Sequence, residues 1–151
     1  MKWRREMRKN RTIAKILKLK DNRKREVELE VKKASDRADE EKSKLQSLEQ
    51  DYLDTFRYFS EKHDEGALDI NNLISCYDYF SRINGKINEQ KQVHAQCMSE
   101  LAHQKDNLVT AHKDKKVFEL LNNKAVRKEH KERLDVEQKE NDFFALSRRL
   151  R

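Results

Sequence analysis

Residues 13–59 read IAKILKLKDNRKREVELEVKKASDRADEEKSKLQSLEQDYLDTFRYF, and the spacing of the apolar letters in this stretch decides the fold. Alternating steps of four and three visit Ile13, Leu17, Lys20, Lys24, Val27, Val31, Ala34, Ala38, Glu41, Leu45, Leu48, Tyr52, Thr55 and Phe59, ten of them apolar in a region that is otherwise mostly charged. A repeat averaging 3.5 residues keeps a narrow stripe turned toward a partner helix, the arrangement of a coiled coil. No Pro or Gly interrupts it.

The composition agrees. Of 151 residues, 42% are charged and 35% hydrophobic, with two Gly and no Pro. A compact core needs more apolar surface than this and irregular loops need more breakers, whereas solvated helices with a thin seam suit both. Disorder is the competing reading of so charged a chain, and the sustained period argues against it. One domain is expected from the length.

The partner stripe is expected in the same chain. Helix 1 is predicted over about residues 10–63, after a basic lead-in at 1–12. Gly66 can close it in a left-handed conformation. After a loop over 64–69, Asp69 is placed to cap a second helix over about 70–148. So short a loop makes the two helices antiparallel neighbours. Stepping from Leu73 visits Tyr77, Phe80, Asn84, Ile87, Lys91, His94, Met98, Leu101, Lys105, Leu108 and His112. Folding about the loop pairs residues whose numbers sum to about 133, setting Phe56 near Tyr77, Leu45 near Ile87 and Ala34 near Met98. Gly85 then falls near Leu48, where it either permits a close helix approach or simply marks a solvated position. The predicted fold is all-α: a long antiparallel two-helix coiled-coil hairpin with an overhanging C-terminal helix.

Charge divides the chain. Residues 1–25 carry twelve Lys/Arg against Glu6 and Asp21; residues 26–112 carry eleven basic against eighteen acidic; residues 113–151 carry twelve against eight. The seam degrades where the charge turns basic, at Lys20 and Lys24, so this end of the hairpin is expected to fray. Beyond it, Leu120, Leu121, Leu134, Val136, Phe143, Phe144 and Leu146 are apolar residues of helix 2 without a partner in the hairpin. They read as a docking surface. Seven of the eleven aromatics lie near the hairpin tip. Tyr52, Phe56, Phe59, Tyr77 and Phe80 fall to core packing there, while Tyr58 and Tyr79 lie off the stripe as candidates for an exposed contact.

The chemistry of a catalyst is not evident. There is no Gly-rich phosphate loop, no Walker lysine, no CxxC and no triad arrangement, so no enzymatic activity and no cofactor is expected. His94, Cys97 and Met98 have helical spacing for soft metal ligands but read as seam or solvent positions. Cys76 and Cys97 are 21 residues apart, about 31 Å along one helix, and so are expected as free thiols of a reducing compartment. The basic start is followed by no apolar segment, so no secretory signal is read there, and no stretch reaches the ~18–20 apolar residues of a membrane span.

The segments Ile13-Ala14-Lys15-Ile16-Leu17-Lys18-Leu19-Lys20 through Val31-Lys32-Lys33-Ala34, and Arg133-Leu134-Asp135-Val136-Glu137-Gln138-Lys139-Glu140-Asn141-Asp142-Phe143-Phe144-Ala145-Leu146, resemble the opening and ending of the FliJ family of flagellar export proteins. The resemblance spans about 13–148. It departs from the family pattern in the basic residues 1–12 and in Phe143-Phe144, where smaller or acidic residues are more usual. It implies a cytoplasmic, non-enzymatic stalk, peripherally associated with the inner membrane at the flagellar base. The implied partners are the hexameric flagellar export ATPase, which the stalk enters and stimulates, a membrane protein of the export gate, and substrate chaperones. Flagellum-dependent motility and chemotaxis follow from that role. On this basis Lys20, Lys24, Leu120, Leu121, Leu134, Phe143, Phe144 and Leu146 are expected at the ATPase end, and Tyr58 and Tyr79 at the tip. The equivalent stalk of a non-flagellar type III secretion system is an alternative. So is DNA binding through Arg8-Lys9-Asn10-Arg11 to Arg23-Lys24-Arg25 as a basic region ahead of a zipper.

Overall fold

The computed structural model describes residues 2–66 and 69–149, with side chains described for 10–66 and 69–148. Two helices make up the fold: α1, Lys2–Asp64, of 63 residues, and α2, Ile70–Arg149, of 80 residues. They pack against each other as an all-α helical hairpin, and the described residues form no strand. The lead-in at 1–12, read as preceding the main helix, continues α1 as helix from Lys2 onward.

The turn follows from four residues. Gly66 adopts φ +68°, the left-handed conformation that costs a residue with a Cβ about 1–2 kcal/mol, and its N–H donates to the His63 carbonyl at 2.9 Å. Lys62 and His63 place basic side chains on the last turn of α1, where the helix dipole favours positive charge. Asp69 caps α2: its Oδ1 accepts from the Asn72 N–H at 2.8 Å and its carbonyl from the Leu73 N–H at 3.1 Å. Part of the predicted loop, 67–68, lies outside the described residues.

The chain divides into two compact units. Unit 2, Glu28–Asn107, contains the turn and an apolar seam. Ala34, Ala38, Cys97 and Leu101 form a buried cluster with Val31 packed against it, and Ile83 and Ile87 are buried as well. Two alanines facing a cysteine and a leucine leave little side-chain bulk between the backbones, which suits close helix approach. Toward the turn, Tyr52, Phe56 and Phe59 meet Phe80 in edge-on contacts with centroids 5.0–6.2 Å apart. A polar pair also enters the seam: Gln90 Nε2 donates to the Glu41 carbonyl at 3.0 Å and to its Oε2 at 2.6 Å. At the margins, Arg37 pairs with Glu100 and Lys91 with Glu49.

The seam of α2 differs in phase from the predicted one. Phe80, Ile87, His94 and Leu101 face inward as expected, but the positions between them are Cys76, Ile83, Gln90, Cys97 and Gln104. Tyr77, Asn84, Lys91, Met98 and Lys105, each one residue further on, are exposed. Tyr77 is 76% exposed against 6% for Ile83, so Tyr77 and Met98 stand outside the seam. Leu73 is also exposed, at the first turn of α2. Ala34 accordingly meets Cys97 and Leu101 rather than Met98. Gly85 is exposed, and a Cβ built on it meets nothing within 4 Å. It is a solvated position, not a point of close approach.

Unit 1 joins Met1–Val27 to Leu108–Arg151 and has a different interior. Val27, 2% exposed, is the one fully buried side chain among the described residues of this unit. Ile13, Leu17, Leu108, Ala111, Phe118 and Ala125 are half-buried beside Lys20, Asp21, Lys24, Lys115, Asn122, Glu129 and Glu132. The predicted fraying at Lys20 and Lys24 is not what the backbone does: the helices continue, held by ion pairs. Lys20 Nζ lies 2.8 Å from Asp114 Oδ2 and 5.9 Å from the centre of the Phe118 ring. Lys115 Nζ lies 2.6 Å from Asp21 Oδ1. Asn10 Nδ2 donates to Glu129 Oε2 at 3.2 Å. Inward-facing positions on α2 stop at Glu132, and every described residue from Arg133 to Arg148 is exposed. This is the overhang.

Candidate docking site on the second helix

The overhang carries five exposed large apolar side chains, Leu134, Val136, Phe143, Phe144 and Leu146. Within unit 1 the inward positions of α2 step by three and four: Leu108, Ala111, Lys115, Phe118, Asn122, Ala125, Glu129 and Glu132. Continuing the same steps gives Val136, Lys139, Phe143 and Leu146. Val136, Phe143 and Leu146 are 55%, 67% and 60% exposed. The seam therefore continues in register beyond the end of its partner, and a stripe that would bury itself against a helix faces water. Val136, Lys139, Glu140, Phe143 and Phe144 line a shallow open groove there. Phe144 stands edge-on to Phe143 at 6.1 Å but off the stripe, as does the exposed Leu134. At the root of the overhang Arg133 Nη2 donates to Glu129 Oε1 at 2.6 Å, one turn back on the same helix.

The other expected docking residues fall in different settings. Leu120 and Leu121 are exposed on the outer surface of α2, within the paired part of unit 1. Lys20 and Lys24 are half-buried seam residues, and Lys20 is committed to Asp114 and Phe118, so these lysines are not a free docking face. Near the turn, Tyr58 is exposed, whereas Tyr79 is half-buried: its hydroxyl accepts from Thr55 Oγ1 at 3.2 Å and its ring lies edge-on to Phe80. The exposed aromatics at this end are Phe56, Tyr58 and Tyr77. Among the seam residues, Val27, Ile87 and Leu101 are buried, and Ile13, Leu17, Val31, Leu45, Leu48, Tyr52, Phe59, Phe80 and Leu108 are partly buried. Sequence reasoning missed Ile83 and Lys139, and left Cys97 as a seam or solvent position. The steps through Cys76, Ile83 and Cys97 carry more apolar letters than those through Tyr77, Asn84 and Met98, once cysteine is scored as the small hydrophobe it is.

Electrostatics in unit 1 is cooperative with pairing. The Lys115 ammonium donates to Asp21 and, helped by Arg25, holds its carboxyl below the usual carboxylate range; Asp21 in turn raises Lys115. Arg133, then Asn10, lower Glu129. In unit 2, Gln90 and then Lys44 lower Glu41. Burial pushes the Cys76 thiol up, away from the reactive thiolate. No group of three or more His, Cys, Asp or Glu among the described residues could hold a metal ion, and His94 and Cys97 face the seam while Met98 faces out. Among the described residues no helix is long and apolar enough to cross a membrane.

The family model described as Flagellar FliJ protein matches residues 9–151. The chain belongs to the FliJ family. It is therefore a coiled-coil protein related to flagellar export, in a family that is a non-enzymatic component of that apparatus. The match takes in α1 from residue 9, the turn and all of α2 with its overhang. No curated protein and no solved structure matches the chain.

Proposed function

We propose that this FliJ-family chain is a cytoplasmic stalk of the flagellar export apparatus that docks in the centre of the hexameric export ATPase and stimulates it. The overhang of α2, with Val136, Phe143 and Leu146, supplies the docking surface, and the basic N-terminal end of the chain accompanies it. The exposed aromatics beside the turn, Phe56, Tyr58 and Tyr77, face the gate protein at the membrane, with which the stalk associates peripherally. Substrate chaperones bind the same stalk, and motility and chemotaxis depend on it. The observation that carries the reading is the seam continuing in register past its partner, in a chain matched by the family from residue 9 to its last residue.

Deletion of 121–151 would remove Asn122, Ala125, Glu129 and Glu132 from the paired seam as well as the overhang. A deletion of 133–151 is cleaner. Stimulation of the purified ATPase should be lost with 133–151 removed while helix content per residue is retained. Full stimulation by the shortened chain would refute docking through the overhang.

A further inference from the structure

We infer that the overhang of α2 binds a cationic amphipathic helix laid along the line that α1 vacates, with a carboxylate of that helix facing Lys139. Three observations lead there. First, Val136, Lys139, Phe143 and Leu146 occupy the seam phase of α2, so the surface continues an interface already built for a helix. Second, the charge beside the stripe is mostly acidic: between Arg133 and Arg148 the charged residues are Asp135, Glu137, Glu140, Asp142 and the one base Lys139, and helical spacing puts Arg148 on the side away from the stripe. Asp135, Glu140 and Asp142 border the stripe, and the cation at its root, Arg133, is engaged by Glu129. A partner with Lys or Arg beside its own apolar stripe gains attraction along both edges, and one with acidic edges is repelled.

The third observation concerns Lys139 itself. In unit 1 two seam lysines face a carboxylate on the opposite helix, Lys20 to Asp114 and Lys115 to Asp21. Lys139 holds the same seam phase in the exposed part of α2. A bound helix that buries Lys139 without a carboxylate leaves its charge desolvated, which sets the register of the partner. A second copy of this chain is disfavoured as occupant, because two overhangs side by side would bring Asp135, Glu140 and Asp142 of one against those of the other. The inference takes its choice of segment from the proposed function but not the partner's identity.

The test uses the full chain and two labelled synthetic helices of about five turns. One carries Leu at its seam positions, one Glu placed to face Lys139, and Lys along its edges. The other carries Glu along its edges and Lys in the seam. The first should bind at least about tenfold more tightly, equivalent to ~1.4 kcal/mol, and should slow amide exchange over 136–148. Phe143→Ser with Leu146→Ser should abolish binding while far-UV circular dichroism stays as in the parent. Lys139→Glu should favour a version of the first peptide with Lys in place of its seam Glu. Equal binding of the two peptides, or no slowing of exchange over 136–148, overturns the inference. So does self-association of the chain that Phe143→Ser with Leu146→Ser removes. ATPase stimulation is measured separately, so the peptide result and the ATPase result can fail independently.

Discussion

Replacing Ile83 by Ala tests the helix phase in unit 2, and Tyr77→Ala is its control. Ile83 is 6% exposed, so truncation returns nearly three buried carbon groups' worth of contact at ~0.8 kcal/mol each. The expected loss is about 2–3 kcal/mol, near the lower end for core truncations, because a two-helix seam can close over a gap more readily than a globular core can. Tyr77 is 76% exposed and gives up little burial. Alanine is also the better helix former by roughly 0.5 kcal/mol, so Tyr77→Ala should be close to neutral. Native-state amide exchange over residues 76–101, with urea unfolding followed by circular dichroism, reads both variants. Tyr77→Ala destabilising as much as Ile83→Ala would place Tyr77 in the seam and refute the phase argued above.

Unit 1 should lose amide protection on acidification. Asp21, Glu119 and Glu129 all have folded pKa values lowered by their partners, so the stability they contribute is present above the ordinary carboxylate range and is lost as pH falls through the lowered values; Asp21→Asn should flatten this dependence when exchange over 10–27 and 108–132 is followed against pH. Gly85→Ala should stabilise by about 0.8–1 kcal/mol, since the new methyl meets open space in a helix interior, and Gly66→Ala should destabilise by about 1–2 kcal/mol through its left-handed φ; both are read from urea midpoints. Gln90→Leu alone strips Glu41 of its cross-helix donor and should lower the melting temperature, whereas Gln90→Leu with Glu41→Leu should raise it above the parent by joining the apolar layers of unit 2.

The hairpin and its antiparallel order were legible because their causes are local. A 3.5-residue period, a glycine able to turn left-handed and an aspartate able to cap are visible in the letters alone. All fourteen stepped positions of α1, from Ile13 to Phe59, are withdrawn from solvent in part or whole. The phase of α2 was harder to read, since its true seam includes two glutamines and two cysteines while Tyr77 and Met98 offer bulkier apolar letters one residue away. Which of two adjacent phases faces inward is decided by packing across the pair, and small residues pack where the helices are closest. Lys20 and Lys24 looked like gaps in a heptad because a sequence does not display the carboxylate waiting on the other helix; Asp114 is 94 positions from Lys20. The overhang was visible as unpartnered apolar residues. Only the corrected phase shows that Val136, Phe143 and Leu146 form one line, and that Lys139 belongs to it.

The proposed role places the export ATPase on the unpaired continuation of the α2 seam. Amide exchange on the full-length chain, alone and with the assembled ATPase hexamer, tests it most directly. Exchange should slow over 136–148 in the complex, and Phe143→Ser with Leu146→Ser should remove both that protection and the stimulation. Exchange over 136–148 that is unchanged by an ATPase bound elsewhere on the chain would contradict it.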